Sequence, residues 1–151
     1  MPRLREQVET TLPIEDTFAF VADFANARLW DPGVATSERL NPGQLGVGAR
    51  YRLGVRMRGR VAPMEYRVTA FEPGRRVVLT GEGSGVAAVD NIRFERSANG
   101  TRIDYTADIR LTGLLRVIQP FLGPAFRKVG RDAVAGMQRA LAERAQSRPA
   151  A

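Results

Sequence analysis

Histidine and cysteine are both absent from the chain. That removes Ser-His-Asp and Cys-His nucleophile systems, zinc sites built on those ligands, haem with a His or Cys axial ligand, and cysteine-ligated iron–sulfur clusters. Acid–base work is left to Asp, Glu, Tyr, Arg and the single lysine, Lys128. Asp90 is the most informative of these. It shares strand parity with Ile92 and Phe94, and alternate residues of a strand face the same side, so its carboxyl is expected to point inward. An unpaired carboxylate is costly there. Such a group can shuttle a proton with a pKa raised by burial, or anchor a ligand hydroxyl. It can equally be an aspartate near a strand start that bonds backbone amides or a neighbouring arginine. Glu6 has the inward parity of Val8 but lies near an end and is expected in solvent. Tyr51, Tyr66 and Tyr105 can each bring a hydroxyl to a strand end near water. Gly43, Gly46 and Gly48 form no phosphate loop, because no Gly-Lys-Ser/Thr follows them. Neither nucleotide binding, nor another cofactor, nor a metal site is expected.

The elements that must hold these groups follow from pattern and punctuation. The chain has 151 residues, 44% hydrophobic and 26% charged, the size and composition of one folded domain over 1–151 with a frayed tail at 147–151. Ala49, Tyr51, Leu53, Val55 and Met57 are apolar on one parity, with Arg50, Arg52, Arg56 and Arg58 on the other. Ile103, Tyr105, Ala107, Ile109 and Leu111 repeat that period-2 pattern opposite polar residues. Strands are also expected over about 4–12, 34–40, 64–71, 77–81 and 86–94, separated by Gly59, Pro73-Gly74, the glycines of 81–85 and Asn99-Gly100. Pro13 to Asp23, with Glu15 and Asp16 in its first turn, reads as a helix, and Phe24 to Leu29 as a short turn before Asp31-Pro32 stops it. Leu114, Ile118, Phe121, Ala125, Val129, Ala133, Met137 and Leu141 fall at helical spacing, interrupted by Pro120 and Pro124. A short turn, then one long helix from near Pro120, is expected. Segregated strands and helices make this an α+β layer architecture.

With the elements in order, the motifs between them become informative. Trp30-Asp31-Pro32 after the helix pair, Phe71-Glu72-Pro73-Gly74-Arg75-Arg76 between strands, and Gly100-Thr101-Arg102 opening the last strand resemble the START-like (SRPBCC) superfamily. Asp90-Asn91-Ile92-Arg93-Phe94-Glu95, then Gly100 to Tyr105 and Leu111-Thr112-Gly113-Leu114, look most like its bacterial polyketide cyclase/dehydrase branch. The resemblance implies a helix-grip fold, in which a curved seven-stranded antiparallel sheet wraps a long C-terminal helix around a cavity. It also implies an apolar small-molecule ligand, lipid- or polyketide-like.

Parity then says what would line such a cavity. From the strands these are Tyr51, Leu53, Val55, Met64, Tyr66, Val68, Ile92, Phe94, Tyr105 and Ala107; from the helix, Phe121, Ala125, Phe126 and Val129. Trp30 is similar to the family's tryptophan at the pocket entrance, where it would gate entry or anchor the helix pair. Three functions stay open. The first is binding an apolar molecule. The second is a cofactor-independent cyclase or dehydratase with Asp90 as its acid or base. The third is an interaction or toxin-like protein working through an arginine-rich surface.

That surface comes from the charge. Lys and Arg number 23 against 16 acids, a formal +7, and all but Lys128 are arginine, a bias that also fits a GC-rich coding sequence. Arg50, Arg52, Arg56 and Arg58 share the outward face of one strand, which suits an acidic protein partner or a solvated face that blocks edge pairing. Nucleic acid is not expected, since no outward aromatics interleave with these arginines. No apolar run approaches the ~20 residues of a membrane span. The N-terminus lacks a signal-like stretch, so the expected location is cytoplasmic.

Overall fold

The computed structural model describes residues 3–57 and 59–147. Strand β1 (Arg3–Thr10) is followed by helix α1 (Ile14–Val21), a 3-10 turn (Phe24–Asn26) and the one-turn helix α2 (Ala27–Trp30). Six strands come next: β2 (Val34–Arg39), β3 (Arg50–Met57), β4 (Arg60–Glu72), β5 (Arg76–Gly83), β6 (Val86–Ser97) and β7 (Gly100–Leu111). A 3-10 segment (Gly113–Phe121) leads into the long helix α3 (Gly123–Ser147). All strands form one antiparallel sheet in the order β1-β7-β6-β5-β4-β3-β2. Every hairpin neighbour is a chain neighbour except β1, which closes against β7. This is the helix-grip arrangement.

The sheet curls because its ladders are interrupted. Register shifts lie between Val34 and Thr36 on β2 and between Val68 and Ala70 on β4, and an extra residue on one strand bends it. Val8, Leu53, Met64, Leu79, Ile92 and Ile103 are buried on the concave face. The α1 segment covers one end of that face. Glu15 and Asp16 sit in its first turn, where the helix dipole favours acids, and Phe18 packs edge-on against Phe94 and Phe71, at 5.0 and 5.4 Å.

Helix α3 runs beside β1, where Gly130 lies against Leu4, and is buried most deeply at one place. Its buried residues are Gly136, Met137, Ala140 and Leu141. Gly136 seats it on α2: a Cβ there would lie 2.1 Å from the Trp30 carbonyl oxygen and 2.8 Å from Pro32 Cδ. Exchanging an ordinary mid-helix glycine for alanine gains about 0.5–1 kcal/mol. Gly136→Ala is expected to reverse that sign, because the helix must lift off backbone that cannot move aside. A net loss of about 2 kcal/mol corresponds to a fall in Tm of roughly 4–8 °C in calorimetry. An unchanged or higher Tm would show that the helix is not seated there.

Two sequence expectations are corrected. Strand β4 starts at Arg60 rather than Met64, because Pro63 is accommodated within the ladder opposite Gly54. Residues 113–121 wind as 3-10 helix and none of them is buried, so the stripe through Leu114 and Phe121 does not continue the core face of α3. That winding includes Pro120 and runs to Phe121, where the Leu122 amide donates to the Gln119 carbonyl, and α3 begins only at Gly123.

Candidate functional site

Between the concave face, α2, the 3-10 segment and α3 lies a cavity of about 620 Å³. Its walls are mainly apolar: Leu53 and Val55 from β3, Met64 from β4, Ala88 from β6, and Ala107 and Ile109 from β7. Ala125, Phe126 and Val129 of α3, with Leu115 and Ile118 before it, close the opposite side. Polar groups are few and gathered. Glu6, Asp31, Arg56, Tyr66, Asp90 and Tyr105 all reach the cavity.

Strand register explains the gathering. Asp90 lies directly opposite Ala107, which in turn lies opposite Leu4, so these three form one row across β6, β7 and β1. Tyr105 sits two residues back along β7 on the same face, opposite Glu6 on β1 and Ile92 on β6. Its hydroxyl donates to Asp90 Oδ2. Tyr66 comes from β4 opposite Gly81, where a Cβ would meet its ring carbons at 2.5–2.7 Å. The bare glycine lets the ring lie flat on β5.

Burial sets the electrostatics. Asp90 is 7% exposed, and loss of water raises its pKa to about 7; the Tyr105 hydrogen bond opposes this, while the charge of Asp31 adds to it. Asp31 rises to about 6, chiefly by burial; the Gly33 amide and Arg56 pull it down and Asp132 pushes it up. Tyr66 and Tyr105 are raised well above the ordinary phenol, first by burial and then by Asp90. Near neutrality the tyrosines are therefore neutral donors, and Asp90 is a carboxyl that exchanges its proton readily. A carboxyl with a hydrogen-bonded partner in an apolar wall has the chemistry that general acid or base work would need.

A model of the family described as polyketide cyclase / dehydrase and lipid transport matches residues 1–148. The chain belongs to that family. Among solved structures, the family member is similar to a protein from Thermus thermophilus, TTHA0849, with 14% identity over 97% of this chain and 100% of the other, TM-score 0.79. It is also similar to the Zhui aromatase/cyclase from Streptomyces sp. R1128, with 15% identity over 95% and 93%, TM-score 0.75. A START superfamily protein from Mycobacterium smegmatis matches with 17% identity over 95% and 97%, TM-score 0.71. At such identities the likeness establishes the fold. No curated protein matches the sequence.

The expected lining divides sharply in this polyketide cyclase/dehydrase family member. Trp30, Leu53, Val55, Met64, Tyr66, Asp90, Tyr105, Ala107, Ala125, Phe126 and Val129 border the cavity. Val68, Ile92 and Phe94 do not, because the concave face is longer than the cavity and α1 fills its other end with packed core. Tyr51 is buried beside Phe24, with the Arg39 guanidinium 5.8 Å over its ring, so solid packing separates it from the cavity. Phe121 is 80% exposed, on the outer side of the 3-10 segment. Trp30 is 2% exposed and packs edge-on to Tyr105 and Phe24, so it is part of the wall. Its buried Nε1–H has no acceptor among the described residues.

Three polar groups of the cavity were read otherwise from the sequence. Asp31 appeared only as a helix stop; its Oδ1 accepts from the Gly33 amide at 2.8 Å, and its side chain borders the cavity. Glu6 also borders it, half-buried rather than in open solvent. Arg56, placed outward by parity, donates through its guanidinium to the Pro32 carbonyl at 2.7 Å, and its amide donates to Gly33 at 2.8 Å. It therefore staples the turn that carries Asp31. Arg50 and Arg52 remain on the outer face, 3.6 Å from Glu65 and 3.3 Å from Glu38. Arg58 lies outside the described residues. Among the described residues no cluster of acids could hold a metal ion, and no helix is long and apolar enough to cross a membrane.

Proposed function

We propose that this family member binds an apolar, lipid- or polyketide-like small molecule in the cavity, with a hydroxyl or carbonyl of the ligand meeting Asp90, Tyr105 and Tyr66. The observation that carries this reading is the cavity itself, about 620 Å³ and bordered mainly by apolar side chains. Kept dry, such a void would cost about 15 kcal/mol at roughly 24 cal/mol per Å³. That equals the upper end of a domain's whole stability, about 5–15 kcal/mol. Water fills apolar walls badly, since it needs two to four polar partners. An apolar molecule satisfies them.

Native mass spectrometry of the protein from its own host, before and after organic extraction, tests this directly. A discrete extra mass that extraction removes is expected, with an oxygen-bearing, mostly hydrocarbon formula. If the protein is bare in every preparation and also fails to saturate with N-phenyl-1-naphthylamine, an apolar fluorescent probe, the binding reading is lost.

A second reading is favoured by one feature, the Asp90–Tyr105 pair in an apolar wall. A cofactor-independent cyclase or dehydratase needs a flexible chain held in reactive geometry and a group that moves protons near neutral pH. Asp90 has the position and the proton affinity. On this reading Asp90→Asn abolishes turnover and leaves ligand affinity intact. Turnover equal to that of the parent protein would remove Asp90 from the role.

A further inference from the structure

The large apolar side chains that face water are concentrated in one stretch. Leu114 is 92% exposed, Val117 74% and Phe121 80%, with Leu115, Ile118 and Val129 partly exposed beside them. In a 3-10 helix, residues three apart eclipse one another. Leu115 and Ile118 therefore share the edge that borders the cavity, while Leu114 and Val117 share another that meets solvent. The same stretch is basic. Arg116, Arg127 and Arg131 are exposed and make no ion pair among the described residues, whereas Lys128 is tied to Asp132 at 2.6 Å. No Asp or Glu occurs from 113 to 131. The Arg127 guanidinium reaches back along α3 to the start of the helix, within 3.3 Å of where a Gly123 Cβ would lie.

We infer that residues 113–131 form a docking surface for an anionic lipid bilayer, with Leu114, Val117 and Phe121 entering the headgroup layer and Arg116, Arg127 and Arg131 meeting lipid phosphates. Exposed apolar side chains in one stretch with arginines that make no ion pair among the described residues are the composition that binds a membrane interface, buried about 5–10 Å deep. The charge on the outer face of β3 is different, because Arg50 and Arg52 already stand beside carboxylates. Position adds to composition. The inner edge of this 3-10 segment is a wall of the cavity, so an apolar molecule leaving the bilayer would enter without crossing water. That last point rests on the binding function proposed above; attachment to the bilayer does not.

Co-sedimentation with vesicles tests the surface, using phosphatidylcholine alone and a mixture of two parts phosphatidylcholine to one part phosphatidylglycerol. The parent protein is expected to bind the mixed vesicles at least about tenfold more tightly, at roughly fivefold per basic residue at the surface, and less so as salt rises. The triple change Leu114→Ser, Val117→Ser and Phe121→Ser is expected to reduce binding to mixed vesicles by at least about tenfold. Arg116→Glu with Arg127→Glu and Arg131→Glu should remove the preference for anionic lipid. All six positions are exposed, so circular dichroism and Tm should match the parent. Arg50→Glu with Arg52→Glu should bind as the parent does. Failure of the parent to sediment with either vesicle, or unchanged binding by both triple variants, overturns the proposal. So does a dimer in analytical ultracentrifugation that the serine variant converts to monomer, since the patch would then cover a second copy. Ala107→Trp, which blocks the cavity, should keep vesicle binding, so that failure of the surface and failure of the cavity are told apart.

Discussion

Between about pH 4 and pH 8 the protein loses thermal stability, and Asp90→Asn removes most of that loss. The sign follows from where the proton sits. An unfolded aspartate has a pKa of 3.8, whereas burial raises that of Asp90 in the folded chain to about 7. The folded state therefore holds a proton that the unfolded state releases. Its contribution is complete below the unfolded value and is lost as pH rises through the folded one. The interval from 3.8 to about 7 corresponds to about 4 kcal/mol, or roughly 10 °C in Tm for a domain of this size. Asp31, raised to about 6, acts in the same direction. Calorimetric scans across this range, on the parent and on Asp90→Asn, measure both slopes. A Tm that is flat or rising in the parent, or an equal slope in the variant, would mean that Asp90 is ionised in the folded protein at low pH.

Ala107→Trp should leave the protein folded and close the cavity. Ala107 borders it, directly opposite Asp90 on one side and Leu4 on the other. An indole there occupies the space beside the Asp90–Tyr105 pair, where the polar end of a ligand is proposed to lie. Affinity for N-phenyl-1-naphthylamine is expected to fall at least about a hundredfold, or about 2.7 kcal/mol. Tm should hold or rise, because the new ring makes contacts where the cavity wall had none. Val89→Trp is the control, since Val89 neighbours Asp90 but lies on the outer face of β6, 38% exposed. Its affinity should equal the parent's. If Ala107→Trp binds the probe as tightly as the parent, the probe and the proposed ligand lie elsewhere.

The sheet was legible from sequence because period-2 burial is a local signal, and β3 and β7 show it residue by residue. Asp90, Tyr66 and Tyr105 were legible for the same reason: parity alone turns them inward. Parity says which face a residue takes but not how far along that face the cavity extends. Val68, Ile92 and Phe94 are inward as expected, yet the phenylalanines of α1 and β4 close over their end of the sheet. Asp31 carried no periodic signal, since it lies in a turn whose shape depends on Arg56 from a distant strand. The stretch 113–121 misled by its period. Spacing that suits an α-helix was laid over a chain that winds with three residues per turn, and this moved Leu114 and Phe121 from the core face to the solvent.

Helix α3 is seated at Gly136 and packed into the core from there to Leu141, while its first half and the 3-10 segment before it bury no residue fully. Mechanically, the half anchored at the Trp30 carbonyl is the stiff one, and the other half rests on the edge strand β1. Moving that first half would strip its contact with Leu4 of β1 but none of the contacts made by Met137 and Leu141 with the core. Regions with few buried contacts open at a small fraction of the free energy of global unfolding. The first half of α3 is therefore expected to open before the second, its amides exchanging hydrogen faster than those around Met137 and Leu141.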